Sequence, residues 1–300
     1  MLHAVLVLST TSNAGCSERK AVQSVIFVQN EGTLNRIIPC PQLPPPRCIS
    51  GVFGSGTKRQ QSKAMFHFEV NVTAIAVNED NYSYMVVCEE SGDCALVDVG
   101  DAKPVLKTLD ETARTPSAVL STHKHWDHCY GNKEMLEKFS HLKLYGSKLD
   151  QPHCANKLVK NGEVIEVGKL RFTVILVPGH TKGHAIYRLH TENGPDCLFT
   201  GDFLFIAGIG KMFEGSAKRM LRSLSFLDNL PRSALVFPGH EYSMENIEFA
   251  LRLEPSNGAL LAVDRLVRDR RMHKLPSQMK KIGRDTYITE MIIVRCRSLE

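Results

Sequence analysis

Two hydrophobic periods run through the chain after residue 65. The segment "FHFEVNVTAIAV" alternates apolar and polar residues, and the apolar runs "YSYMVVCEE", "CALVDVG" and "SAVLST" follow it, which predicts strands. The segment "DAKPVLKTLDETA" has helical spacing instead, with Asp101 as a candidate N-cap and Pro104 in its first turn. This mixture of strand and helix periods predicts an α/β protein.

The pattern continues to residue 240 and then becomes helical. Further strands are predicted at "LKLYG", "KLRFTVILV", "AIYRLH", "CLFTGDFLFIAG" and "ALVFPGHEY", and helices at "NKEMLEKF" and "SAKRMLRSLSFLDNL". Beyond them, "SMENIEFALRLE" and "NGALLAVDRLVRDRRMHK" carry apolar residues at helical spacing with charged faces. We therefore expect a layered α/β catalytic domain over residues 66–240 and a helical substrate-binding region over residues 241–300.

Residues 1–65 have a different composition. They are rich in Pro, Gly and Ser, and the formal charge of +5 of the whole chain falls on their basic residues, Arg19, Lys20, Arg36, Arg47, Lys58, Arg59 and Lys63. Because the rest of the chain is balanced in charge, nucleic-acid binding by the main domain has no electrostatic basis. We expect a disordered leader or a targeting segment, and a mitochondrial or cytoplasmic protein.

The bulk composition is that of a globular protein. It is 43% apolar and 23% charged, and no stretch approaches the roughly 18–20 apolar residues of a membrane span, so no transmembrane segment is expected. The nine cysteines are scattered without a CxxC pair, which indicates reduced thiols rather than a disulfide framework. We expect a monomer.

The segment "THKHWDH" concentrates metal-type donors: His123, His125, Asp127 and His128. In an extended segment, side chains two residues apart point the same way, so His123 and His125 can bind one metal ion. A helix that begins near Asp127 would turn Asp127 and His128 toward a neighbouring position. The segment therefore predicts half of a metal centre.

Three later loops carry matching donors after apolar strands. "VILVPGHTKGH" contains His180 and His184, "CLFTGDFLF" contains Asp202, and "ALVFPGHEY" contains His240. A glycine precedes His180, Asp202 and His240, which lets the backbone turn tightly beside a ligand. Because two sets are complete without His184, we expect it to have a supporting role.

Together the donors form two sets that share a carboxylate. One set is His123, His125, His180 and Asp202; the other is Asp127, His128, His240 and, as a bridge, Asp202. Nitrogen and oxygen donors without thiolate favour two zinc ions, with iron or manganese as alternatives. Two metal ions roughly 3.5–4 Å apart form a hydrolytic centre, in which Asp127 and Asp202 would also accept the proton of the attacking hydroxide.

The motifs "THKHWDH", "PGHTKGH", "FTGD" and "FPGHEY", in this order, resemble the metallo-β-lactamase superfamily. With "NEDNYSYMV", "IAGIGKMFEGSA" and "HEYSMENIEFALRLEP", the resemblance narrows to the glyoxalase II (hydroxyacylglutathione hydrolase) family, most similar to its paroxysmal nonkinesigenic dyskinesia branch. The resemblance implies an αββα sandwich with a C-terminal helical extension, and hydrolysis of S-D-lactoylglutathione to D-lactate and glutathione by a dinuclear metal-bound hydroxide. It also implies the same two donor sets, with Asp98 supporting them without binding metal.

For the substrate, the resemblance implies contacts to glutathione at Lys211, Phe213 and Tyr242. An ammonium can hold a glutathione carboxylate, and a phenol can donate a hydrogen bond. Phe213 stands where the family usually has an aromatic hydroxyl, so one hydrogen bond to glutathione is lost. The segment that begins "LPSQMKK" keeps the first residues of the family pattern and then diverges, and Lys280, Lys281 and Arg284 are candidate substitutes for its basic residues.

Two other functions compete with this interpretation. A mononuclear iron persulfide dioxygenase of the same fold would need His123, His180 and Asp202 but would leave His240 free. A metal-binding regulatory protein with weak catalysis would fit Phe213 and the divergent C-terminal segment. The complete second donor set favours the thioester hydrolase.

Overall fold

The structure, a computed structural model, describes residues 70–277 apart from 193 and 231–233, together with four short strands outside that range. These four strands form one small sheet: β1 (Leu6–Ser9), β2 (Ser24–Phe27), β3 (Ile37–Pro39) and β17 (Arg295–Cys296). The remainder of the leader, residues 1–65, lies outside the described residues, and so its predicted disorder and targeting role stay predictions.

The first half of the main domain forms a six-stranded sheet with helices on its outer face. Its strands, in spatial order, are β4 (Val70–Val77), β5 (Asn81–Cys88), β6 (Cys94–Val97), β7 (Ala118–Leu120), β8 (Lys143–Ser147) and β9 (Lys157–Val159). Strands β4 to β6 are antiparallel and β6 to β9 are parallel. The helices are α1 (Ala102–Thr112), α2 (Trp126–Cys129) and α3 (Asn132–Lys138).

The second half forms a five-stranded sheet and the remaining helices. The strands are β10 (Val164–Val167), β11 (Leu170–Leu176), β12 (Ala185–Leu189), β13 (Cys197–Gly201) and β16 (Leu235–Pro238). A small hairpin, β14 (Leu204–Phe205) and β15 (Gly208–Ile209), follows β13. The helices are α4 (Ala217–Leu224), a 3-10 turn (Ser225–Asn229), α5 (Ser243–Leu253) and α6 (Gly258–Met272).

The alternation of side chains along β5 shows why the two sheets pack face to face. Tyr84 and Val86 point into the core between the sheets, where they join Phe172 of the second sheet. Met85 and Val87 point to the other face and pack under α1 and α3. A strand that is buried on both faces needs a partner layer on each, which here is a sheet on one side and helices on the other.

A second helical layer covers the five-stranded sheet. Met220 and Leu224 of α4 pack against Leu198 and Val236 of that sheet. The order of layers is therefore helix, sheet, sheet and helix, and the predicted αββα fold is confirmed. Helices α5 and α6 pack on each other, with Ile247 among their buried residues, and form the C-terminal helical extension.

Most of the predicted elements are confirmed, including the start of α1, where the Asp101 side chain accepts a hydrogen bond from the Lys103 amide. Strands β9 and β10 were missed, because each is short and partly exposed. Of the helices that the structure describes, none combines the length and the apolar character that a bilayer crossing requires.

We predict that Phe172→Ala lowers the free energy of unfolding by about 3–5 kcal/mol, because it leaves a cavity between the two sheets. Phe172 is fully buried, and its ring lies 6.3 Å from that of Phe199. Denaturant unfolding followed by circular dichroism measures the change. The control is Val164→Ala in the neighbouring strand, since Val164 is 45% exposed. Equal losses in the two variants would contradict a core at this place.

Candidate dinuclear metal centre

All seven predicted donors lie at one edge of the sandwich, where strands of both sheets end. His123 and His125 follow β7, and the later donors follow β11, β13 and β16. Helix α2 begins one residue after His125, which is its N-cap residue, and this turn redirects Asp127 and His128. The strand ends and α2 thus bring together side chains that are far apart in the sequence.

The first donor set converges on one point. The His125 Nδ1 atom lies 3.0 Å from His123 Nε2 and 3.0 Å from His180 Nε2. The Asp202 Oδ2 atom lies 3.4 Å from His180 Nε2 and 4.0 Å from His123 Nε2. All four atoms lie within 4.8 Å of one another, so a single ion could contact them all.

The second set converges beside it. The Nε2 atoms of His128 and His240 are 3.2 Å apart, and Asp127 Oδ2 lies 3.5 and 3.4 Å from them. The other oxygen of Asp202, Oδ1, lies 3.2 Å from His128 Nε2 and 3.3 Å from His240 Nε2. Asp202 therefore presents one oxygen to each set, which is the geometry of a bridging ligand.

Hydrogen bonds on the outer side of three rings determine which nitrogen faces inward. The Nδ1 atom of His180 donates to the Lys211 carbonyl at 2.7 Å, that of His128 to Asp98 at 3.1 Å, and that of His240 to Asp80 at 2.9 Å. A carbonyl or carboxylate oxygen only accepts, so each Nδ1 carries the proton. Each Nε2 is then the atom that can bind a metal ion.

Asp98 supports both donor sets. It accepts directly from His128, and it also accepts from the Thr122 hydroxyl at 2.7 Å and the Thr122 amide at 2.7 Å. Because the Thr122 hydroxyl donates to Asp98, it accepts from His123 Nδ1, which lies 3.0 Å away. One buried carboxylate thus orients a ring in each set, in agreement with the supporting role expected of Asp98.

Asp80 and Asn81 are supporting residues that the sequence analysis missed. The Asn81 amide donates to Asp127 Oδ2 at 3.0 Å, while Asp80 holds His240. Backbone hydrogen bonds join their turn to the His240 loop, from the Tyr82 amide to Gly239 and from the Glu241 amide to Asp80. The available signal was a polar pair at the start of the buried strand β5, inside the segment "NEDNYSYMV".

Asp150 was also missed, and it holds the two histidine loops together. Its carboxylate accepts from the Gly183 amide at 2.7 Å, the Thr181 hydroxyl at 2.5 Å and the Lys124 amide at 3.3 Å. Lys124 belongs to the loop of His123, and the other two residues belong to the loop of His180. An isolated aspartate after β8 gives no signal in the sequence for this role.

The residues present fit a pair of metal ions. The donor separations given above are 3.0–3.5 Å, apart from the 4.0 Å between His123 and Asp202. They are close to the edges, roughly 3.3 Å, of a tetrahedron with metal–nitrogen bonds of about 2.0–2.1 Å. The backbone also approaches closely: a Cβ on Gly239 would lie 2.6 Å from Asp202 Oδ1. Gly201 has a φ of +48°, which favours glycine, so the turn before Asp202 requires this residue.

The electrostatics of the centre favour a cation. Burial lowers the pKa of His180 to about 4 and that of His123 well below its usual value. Burial also acts to lower the pKa values of His128 and His240, but nearby carboxylates, Asp202 first, outweigh it and raise them to about 10 and about 12. The same carboxylates attract a divalent ion, and its binding displaces the ring protons.

His184 does not enter either set. Its ring is buried and stacks on His123 with the centroids 4.8 Å apart, and neither of its nitrogens has a hydrogen-bond partner among the described residues. The His184 ring packs against the donor ring of His123, which agrees with the supporting role expected of it.

The predicted substrate residues surround the donors. The Phe213 ring meets His125 and His180 edge-on, with centroids 5.4 and 5.3 Å apart, and Lys211 Nζ lies 5.0 Å from the Phe213 centroid. The Tyr242 ring stacks on His240 at 4.8 Å, and its hydroxyl is hydrogen-bonded to Asp80. The remaining candidates, Lys280, Lys281 and Arg284, lie outside the described residues.

Comparisons with known proteins agree with this geometry. Residues 77–240 match the model of the metallo-β-lactamase superfamily. Over 202 residues, 66% of this chain and 78% of the relative, the chain is 39% identical to the cytoplasmic hydroxyacylglutathione hydrolase of Arabidopsis thaliana. It is also 39% identical to the hydroxyacylglutathione hydrolase of Serratia proteamaculans, over 63% of this chain and 72% of that protein.

A similar fold occurs in solved structures. The crystal structure of ETHE1 from Myxococcus xanthus matches with a TM-score of 0.52 and 31% sequence identity, over 57% of this chain and 76% of that chain. The fold and the donor arrangement define a metallo-β-lactamase-type domain. The chain belongs to the metallo-β-lactamase superfamily and, by its sequence relatives, to the hydroxyacylglutathione hydrolase family within it.

We predict that Asp98→Asn weakens metal binding by about 10- to 100-fold, although Asp98 itself is not a proposed ligand. The asparagine side chain replaces one acceptor oxygen by an NH2 group, which cannot accept hydrogen bonds from Thr122 and His128. The ring of His128 therefore loses its fixed tautomer. Competition with a chromophoric chelator measures the affinity. Asp101→Asn is the control, because asparagine is also a good N-cap residue. Equal affinity in both variants would show that Asp98 does not orient the rings.

We also predict different metal contents for two alanine variants. The wild type should hold about two ions per chain, His240→Ala about one, because the first set is intact, and Asp202→Ala none after dialysis, since both sets lose a ligand. Elemental analysis measures the content. An Asp202→Ala protein that retains its metal and full turnover would contradict the bridging assignment.

Proposed function

We propose that this protein hydrolyses S-D-lactoylglutathione to D-lactate and glutathione with the help of two divalent metal ions. The observation that carries the proposal is the pair of donor sets joined by the two oxygens of Asp202. The relatives at 39% identity are named hydroxyacylglutathione hydrolase, which supports a glutathione thioester as the substrate.

The chemistry divides between the bound ions and the side chains. When bound, two divalent ions supply a nucleophile derived from water at neutral pH and positive charge for the oxyanion of the thioester carbonyl. The side chains of Asp127 and Asp202 are 21% and 12% exposed. Asp127 is therefore the carboxylate that water reaches more readily, and we assign it the proton of the attacking water, with Asp202 as the second acceptor.

Asp127 and Asp202 are in the charge state that metal binding and proton acceptance both require. Burial opposes ionisation, yet His128 and His240 hold the pKa of Asp202 well below its usual value, and His240, His128 and Asn81 lower the pKa of Asp127. Both side chains are consequently ionised at neutral pH. The departing thiolate needs no strong general acid, because thiols have pKa values of about 8–9.

The substrate side of the proposal involves Lys211, Phe213 and Tyr242. Lys211 provides a cation for a glutathione carboxylate, and Phe213 provides an apolar wall beside His125 and His180. The Tyr242 hydroxyl already donates to Asp80, so its oxygen can accept a hydrogen bond from the glutathione backbone. Tyr242 therefore suits a peptide N–H of the substrate better than a carboxylate.

We further propose zinc as the metal, because imidazole and carboxylate donors without thiolate suit it, with iron or manganese as alternatives. A monomer and a mitochondrial or cytoplasmic location also remain proposals. The alternative of a persulfide dioxygenase is less well supported, since His240 lies in a complete second set with Asp127 and His128. The alternative of a weakly catalytic metal-binding protein rests on Phe213 and the divergent C-terminal segment.

We predict that protein loaded with zinc hydrolyses S-D-lactoylglutathione, which is measured as loss of absorbance at the thioester band. His240→Ala should lose most of this turnover, because the second set is incomplete. Oxygen uptake with glutathione persulfide and the iron-loaded protein would support the dioxygenase instead. Metal-loaded protein without either activity would support the regulatory alternative.

A further inference from the structure

Residues 211–215, here called the substrate loop, lie over the first donor set. Phe213 is 58% exposed, yet the edge contacts of its ring are to His125 and His180. Its position therefore depends on how the backbone of the loop is held rather than on burial of the side chain.

The backbone of the loop is fastened to the segment of His180. The amides of Phe213 and Glu214 both donate to the His180 carbonyl, at 3.2 and 3.3 Å, and the Lys211 carbonyl accepts from the His180 ring. Gly215 packs closely on this segment, since a Cβ there would lie 2.5 Å from the Gly179 carbonyl oxygen. These bonds reach one histidine loop but not the loop that carries His123 and His125.

The side chain of Glu214 makes the second attachment. Its Oε1 atom lies 2.6 Å from Lys124 Nζ, and its Oε2 atom accepts from the Lys182 amide at 3.0 Å. Lys124 stands between His123 and His125 in the sequence, and Lys182 follows His180 by two residues. One carboxylate thus touches both histidine loops while belonging to the substrate loop.

We propose that Glu214, held by Lys124 and by the Lys182 amide, is a positioning residue that fixes the substrate loop to both histidine loops. Its effect on catalysis rests on the thioester hydrolysis proposed above. The ion pair also neutralises Glu214 beside the binding surface. Without Lys124, the unpaired carboxylate of Glu214 would lie beside the carboxylates of a glutathione substrate and repel them. The substrate loop would also lose its attachment to the loop of His123 and His125.

The ion pair holds the substrate loop and also neutralises Glu214, and these two roles predict an order of KM values among variants. Lys124→Ala leaves the charge of Glu214 unpaired, whereas Glu214→Gln removes the charge and keeps an acceptor for the Lys182 amide. We expect KM to rise about two- to fivefold in Lys124→Ala, less in Glu214→Gln, and to return toward the wild type in Lys124→Arg. The kcat value and the metal content should stay near those of the wild type.

The matched control is Lys169→Ala. The Lys169–Glu90 ion pair is 2.7 Å long and partly exposed, like the Lys124–Glu214 pair, but it lies beyond the opposite end of β5 from the metal centre. Its loss should change neither KM nor the substrate loop. A general effect of removing a surface ion pair would appear in both variants.

Hydrogen exchange tests the positioning role without a substrate. The amides of Phe213 and Glu214 should exchange faster in Lys124→Ala than in the wild type, with protection restored in Lys124→Arg and unchanged in Lys169→Ala. Unchanged exchange in Lys124→Ala overturns the proposal, whatever its KM. If the wild type does not hydrolyse S-D-lactoylglutathione, the proposed function fails, and the exchange rates still decide whether Glu214 positions the loop.

Discussion

The fixed direction of the imidazole protons is the constraint on which this site depends. His128, His180 and His240 each donate the Nδ1 proton to an acceptor outside the centre, so their Nε2 atoms point into it. Nearby carboxylates raise the pKa values of His128 and His240, so without a metal ion their Nε2 atoms, 3.2 Å apart, also carry protons that point at each other. A metal ion that binds between the two Nε2 atoms replaces these protons. The outward acceptors, and not the donor residues alone, therefore make the pocket selective for a metal ion.

The acceptors also explain the roles of elements that carry no donor. Asp98 follows β6, Asp80 precedes β5, and the Lys211 carbonyl belongs to the loop after β15, so three separate segments hold the three rings. Because the substrate loop supplies one of these acceptors, the binding surface and the metal centre share a hydrogen bond. A displacement of the Lys211 carbonyl would therefore reach the His180 ring directly.

The sequence predicted the donors better than their supports, for a physical reason. His123, His125, Asp127 and His128 are neighbours in one motif, and the later donors each follow an apolar strand and a glycine, which are local signals. Support by Asp150 depends on the end of β8 lying beside two loops, a contact between distant segments that no local pattern encodes. The same applies to Asn81 and Glu214, whose partners are set by the packing of the sheets.

The contacts to a substrate stay predictions, and the surroundings of the donor rings were predicted less completely than the donors. Phe213 and Tyr242 lie against donor rings, and the Lys211 ammonium lies over the Phe213 ring, but the bond from the Tyr242 hydroxyl to Asp80 was not foreseen. A phenol that already donates its proton to a carboxylate can only accept a hydrogen bond from a ligand, whereas a free phenol can also donate one. Residue identity in a motif therefore indicated which side chains lie beside the donor rings, while the hydrogen-bond partner decides which groups of a ligand each side chain can meet.

The spread of the donors along the chain has a consequence for the life of the protein in a cell. The centre takes side chains from the ends of β7, β11, β13 and β16, which belong to both sheets. During synthesis, a metal ion cannot find the full site until β16 has left the ribosome and paired with β13. Metal binding would then be a late step that stabilises the contact between the two sheets, since an ion that binds the folded state shifts the folding equilibrium. Scarcity of metal would thus lower the stability of newly made chains as well as their activity.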